Sequence, residues 1–185
     1  MKIIVIDPGH GRRTGASADG YWEDEIVLRI SKDLCGLINH KDNGNKKNLR
    51  SVLTRNNDFD NPSLKTRCNL SNDMDADLFL SIHVNAFMDE DVNGCETWIF
   101  DRPSELGTAI HKAIAYQFTK DRGIKSSVRD YQPGHIYVLQ HTKAPAVLVE
   151  LGFITNPMER DWLVNYRNQK VLAGALYYGI TSFFS

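Results

Sequence analysis

Apolar positions along this chain follow two rhythms. Apolar runs at Ile3–Ile6, Leu78–Ile82 (broken only by Ser81) and Val147–Val149 predict strands of a largely parallel sheet, buried on both faces. Between them, Val27, Ile30, Leu34, Leu37 and Ile38 recur at helical spacing and predict a helix over 24–38, after a Gly-rich loop that runs to Gly20. The polar stretch 40–48, with Asn43-Gly44-Asn45, predicts a surface loop or hairpin tip. A short strand is expected over 51–54. A helix is expected to begin at Asn61-Pro62, with Asn61 as N-cap and Pro62 in the first turn. Strands follow over 77–84 and 95–100. Leu106, Ile110, Ile114 and Phe118 mark one face of a helix stopped by Gly123. Two more strands are predicted over 136–139 and 146–149. Asn156 and Glu159 have the spacing of a capping box, and a closing helix is expected from about Gln169 to Phe184.

Strands alternating with helices define an α/β class: a single domain over 1–185, with a mostly parallel twisted sheet of about six strands flanked by helices on both faces. Sites in such sheets form at the carboxyl ends of strands. His10, His83 and Glu150 each stand at or just after a predicted strand end. Glu23 and Glu25, at the mouth of the first helix, compete for one further position. Two imidazoles and two carboxylates meeting there would supply what a catalytic zinc site needs, three N or O ligands and a base beside an open position for water. Glu150, flanked by Val147-Leu148-Val149 and Leu151-Gly152-Phe153, is costly to bury unless paired or metal-associated. His40, His111, His135 and His141 read as ordinary, although the last two flank a predicted strand and could touch substrate.

Composition narrows the picture. The 185 residues carry 22 Lys plus Arg against 23 Asp plus Glu, so no bulk field draws the chain to nucleic acid. No segment has the roughly 18 apolar residues of a membrane span, and the N-terminus lacks the pattern of a secretory signal, so a soluble, cytoplasmically made protein is expected. Cys35, Cys68 and Cys95 are odd in number and far apart, which argues against a disulfide framework. Cys95 remains a candidate fourth ligand for a closed, structural zinc site. A phosphate-binding loop at 9–20 finds no support, since neither glycine signature is present.

The segments Ile6-Asp7-Pro8-Gly9-His10-Gly11, Glu23, Leu53-Thr54-Arg55 with Leu64 and Arg67, Ala76 to Ala86 around Ser81-Ile82-His83-Val84-Asn85, and Pro145 to Pro157 around Val149-Glu150-Leu151-Gly152-Phe153 occur in order along the chain. With them the sequence closely resembles the zinc-dependent N-acetylmuramoyl-L-alanine amidases of the type-3 amidase family, bacterial and phage enzymes that cut peptidoglycan. The resemblance implies one Zn²⁺ held by His10, Glu23 and His83, with Glu150 catalytic, and it chooses Glu23 over Glu25. It further implies hydrolysis of the amide between N-acetylmuramic acid and L-alanine, with a zinc-activated water and a glutamate base. Peptidoglycan is then the partner, and a wall-binding module is expected to lie outside this chain. Some family members insert a blocking helix after the second zinc histidine. Here only Phe87 to Gly94 intervene, implying an open site as in phage lysins, which act on the wall after release. Arg12-Arg13 stand where relatives often have a second glycine.

Overall fold

The computed structural model describes residues 1–40, 48–101, 103–131 and 135–185. The loop predicted over 40–48 therefore falls largely outside the described residues. The elements run β1 (Lys2–Pro8), β2 (Ser17–Ala18), β3 (Tyr21–Trp22), α1 (Glu23–Asn39), β4 (Leu49–Leu53), α2 (Leu64–Asp73), β5 (Leu78–Asn85), β6 (Cys95–Ile99), α3 (Glu105–Ala115), β7 (Asp121–Ser126), α4 (Tyr137–His141), β8 (Ala146–Phe153), α5 (Pro157–Val164) and α6 (Tyr166–Phe183). Six strands form one sheet in the order β4-β1-β5-β8-β6-β7. All neighbours in it are parallel except β8 and β6. The expected α/β architecture is present.

The two faces of the sheet differ. Ile4, Ile6, Leu80, Ile82, Val147, Val149 and Leu151 pack with residues of α1, α3 and α6 into the larger core. Alternate residues point the other way, where Val5 and Phe79 pack against Cys68 of α2 and Val138 of α4. On that second face the strands turn polar toward their carboxyl ends. Asp7 is in register with Ser81, Ser81 with Leu148, His83 with Glu150, and Glu150 with Glu96 of the antiparallel strand β6. Because side chains alternate with period two, these residues share one face. The short helices cover its apolar half, and its polar half is left open.

Four expectations change. The α2 helix starts at Leu64 with Ser63 as its cap, whose Oγ accepts from the Thr66 N–H, so Asn61-Pro62 precede it. The α3 helix ends at Ala115, and Gly123 (φ +79°) lies instead in β7, at the register shift opposite β6. An edge strand thus stands where only the end of a helix was expected. The predicted strand 136–139 is the single turn-and-a-half of α4. Both edges of the neighbouring strand β8 are already taken by β5 and β6, so this apolar run packs over the sheet face instead. At α5, Asn156 accepts from the Glu159 N–H as expected, but the Glu159 carboxylate accepts from Gly94 and Phe153 N–H rather than closing the box.

Candidate metal centre

His83 and Glu150 lie inside their strands, not beyond them, because β5 continues to Asn85 and β8 to Phe153. Their side chains rise from the polar half of the open face. His10 comes from the turn after β1 and Glu23 from the first residue of α1. His10, Gly11, Arg12 and Arg13 all take positive φ, at +58°, +146°, +55° and +52°. For the three non-glycine residues this costs about 1 kcal/mol or more each. The run curls the chain back so that the imidazole of His10 faces Glu23.

Among the described residues, the side chains that can hold a metal ion are His10, Glu23 and His83, whose ligand atoms lie within 4.8 Å of one another. Glu23 Oε1 is 2.9 Å from His83 Nδ1, and Glu23 Oε2 is 3.3 Å from His10 Nε2. Its carboxylate also accepts from the N–H groups of Val84 and Ala16. Burial alone would raise its pKa. The hydrogen bonds and charges of His10 and His83 outweigh burial and hold it well below the usual carboxylate range. Glycine is required alongside: a Cβ on Gly15 (φ +91°) would come within 2.6 Å of Glu23 Oε2 and 2.7 Å of His10 Cδ2.

Glu150 faces the same cavity. Its Oε2 is shut off from solvent and has no hydrogen-bond partner. Burial, then the negative charges of Glu23 and Glu96, push its pKa well above the ordinary value against the pull of Lys125. A carboxylate so shifted, lining a cleft with two imidazoles, marks a candidate functional site. The donor set, two nitrogens and one oxygen with a free position, fits a catalytic zinc ion.

Glu25 points away, with Oε1 3.5 Å from Arg13 Nε at the surface, so geometry as well as resemblance favours Glu23. Cys95 does not join the cluster. It is fully buried in the larger core on the opposite face, where burial pushes its thiol up to about 12. The closed four-ligand reading therefore loses its candidate. His135 and Tyr131 line the cavity together with Tyr137, whereas Trp22, Arg12, Arg13 and Arg129 do not. His141 stacks on Tyr137 at 3.9 Å outside it.

Sequence reasoning passed over Glu96. Buried in β6, it accepts from Asn85 Nδ2, Trp98 Nε1 and Arg122 Nε and is paired with Lys125. It thereby fixes the cavity wall formed by Asn85 and Trp98. The available signal was a carboxylate inside a strand run, alternating with Trp98. The cavity measures about 680 Å³ and runs from Asn61 and Leu64 past the His–Glu–His cluster to Trp98 and Tyr131. The segment from Ala86 to Gly94 contains no helix, leaving the site open.

A family model described as N-acetylmuramoyl-L-alanine amidase matches residues 4–182. The N-acetylmuramoyl-L-alanine amidase LytC of Bacillus subtilis is 35% identical over 191 residues, which cover 99% of this chain but 36% of that protein. The germination-specific N-acetylmuramoyl-L-alanine amidase of the same organism is 27% identical over 199 residues, covering 100% of this chain and 80% of the relative. The catalytic domain of CwlV, an N-acetylmuramoyl-L-alanine amidase from Bacillus (Paenibacillus) polymyxa var. colistinus, superposes with a TM-score of 0.86 at 30% identity, covering 99% of this chain and 98% of that one.

Proposed function

The chain belongs to the type-3 N-acetylmuramoyl-L-alanine amidase family, and from that premise we propose that it hydrolyses the amide between N-acetylmuramic acid and the L-alanine of the peptidoglycan stem. Residues 1–185 act as one catalytic domain on the bacterial wall. The observation that carries the reading is the His10–Glu23–His83 cluster beside an open cavity whose wall His10, His83 and Glu150 share.

His10, Glu23 and His83 would hold one Zn²⁺. That ion would supply Lewis acidity for activating water and polarising the scissile carbonyl. Glu23 remains ionised beneath the two imidazoles, so the ligand set carries one negative charge. Glu150, in the wall of the same cavity, takes the proton from the attacking water on its carboxylate. It then returns the proton to the nitrogen of L-alanine as the C–N bond breaks. Glu96 stays outside this transfer and keeps the wall beside Glu150 in place.

The test combines zinc content with product identity, comparing the protein with Glu150→Ala on purified peptidoglycan. Amidase products are intact stem peptides with a free L-alanine terminus and glycan stripped of peptide. Retained zinc with lost cleavage in the variant supports the role of Glu150. Fragments cut within the stem peptide would make the chain a zinc peptidase instead.

A further inference from the structure

Two guanidinium groups, Arg55 and Arg67, lie buried beneath the cluster at 2% and 3% exposure. Their bonding differs. Arg67 donates through Nη1 to Asp7 Oδ1 and the Pro8 carbonyl, both at 2.7 Å, and through Nη2 to the His10 carbonyl at 2.7 Å. It thus anchors the turn after β1 to that strand and to α2. Arg55 instead reaches across two segments. Its Nε donates to the Pro8 carbonyl at 3.1 Å, while its Nη2 donates to the Gly9 carbonyl at 2.9 Å and to the Asp24 carbonyl at 2.7 Å. Gly9 precedes His10, and Asp24 follows Glu23.

One rigid fork therefore joins the backbones next to two of the three candidate ligands. His10 is held at a φ of +58°, which an unrestrained chain would relax. A metal site tolerates errors of only a few tenths of an ångström in its ligands. We propose that Arg55 is a positioning residue of the metal centre, setting the separation of His10 from Glu23 by clamping the Gly9 and Asp24 carbonyls. The inference rests on the reading that His10, Glu23 and His83 bind zinc. A lysine at this position keeps the charge but cannot reproduce the planar fork.

The experiment measures Zn²⁺ affinity of the metal-free protein, Arg55→Lys and Arg55→Ala by competition with a chromophoric chelator. Co²⁺ visible absorption reports ligand geometry, and the melting temperature of each metal-free form checks folding. Arg55→Lys is expected to fold and to bind Zn²⁺ about 10- to 100-fold more weakly, with an altered Co²⁺ spectrum. Millimolar guanidinium should restore affinity to Arg55→Ala, whereas methylammonium should not. Affinities within about twofold of the parent, or equal rescue by both cations, would overturn the proposal. So would failure of both variants to fold, which would make Arg55 a strut of the whole fold. A parent protein that takes up no Zn²⁺ would instead remove the metal-site reading itself, and this inference with it.

Discussion

The described residues bring imidazole and carboxylate together in two places, and they are built inside out from one another. In the His10–Glu23–His83 cluster the carboxylate is innermost, its side chain 4% exposed, and the imidazoles open to the cavity at 35% and 18%. On the opposite face of the sheet, Thr97 Oγ1 lies 2.9 Å from His111 Nδ1, and His111 Nε2 lies 2.8 Å from Asp121 Oδ1. That hydroxyl–imidazole–carboxylate order is the order of a nucleophilic triad. Its exposure is reversed, however, with Thr97 fully buried and the Asp121 side chain 59% exposed. A triad needs its hydroxyl open to substrate and its acid buried. The second cluster is a strut between α3 and the edge of the sheet. Contact distances do not separate a site from a strut, whereas the direction of burial does.

The comparison breaks most visibly if one histidine is removed from each cluster. His83→Ala should lose the metal and about 10³-fold or more of peptidoglycan cleavage, the equivalent of several kcal/mol of transition-state stabilisation. His111→Ala should keep zinc and cleave within about twofold of the parent, as read by metal content and release of stem peptides. Equal losses in the two variants would erase the distinction.

Glu150→Gln comes next. It should retain zinc while cleavage drops about 10²- to 10⁴-fold. It should also melt higher in the metal-free state at neutral pH. A buried acid with a raised pKa destabilises the fold as pH rises above its unfolded value, about 4.3, and the cost is complete once pH passes the folded value. The gain should therefore vanish in melting scans below about pH 4.

A smaller effect belongs to the strut. His111→Ala leaves the buried Thr97 hydroxyl without its partner, at about 1–3 kcal/mol. That lowers melting by about 2–4 °C per kcal/mol in a chain of this size. The smallest is Asp121→Asn, under about 1 kcal/mol because the carboxylate is largely exposed. The hydrogen bond from His111 lowers the Asp121 pKa. Its stabilisation is thus present above the unfolded value, near 3.9, and is lost as pH falls through the folded one. Melting curves of parent and Asp121→Asn should converge as the solution is acidified.

Much of this was legible in the chain. The apolar runs placed β1, β5 and β8, because strand residues buried on both sheet faces are mostly apolar, Ser81 being the one polar position within those runs. The same segments carry His10, His83 and Glu150, whereas the choice of Glu23 over Glu25 came from the family resemblance and not from local pattern. Short elements were less legible. Ile136 to Leu139 fit a strand or a turn of helix equally well by local pattern, and Gly123 punctuates a helix end or a bulge with the same lack of side chain.

What the sequence determined by itself was the alternation of elements and the identity of the polar groups, since both follow from local periodicity and residue chemistry. Only the tertiary structure decided which polar groups face one another. It put Cys95 in the core and Glu96, its neighbour, against the cavity, and it set Arg55 between the chains leading from His10 and Glu23. Those outcomes depend on strand order, register and the side of the sheet each residue occupies, and these are fixed by packing between segments far apart in the chain.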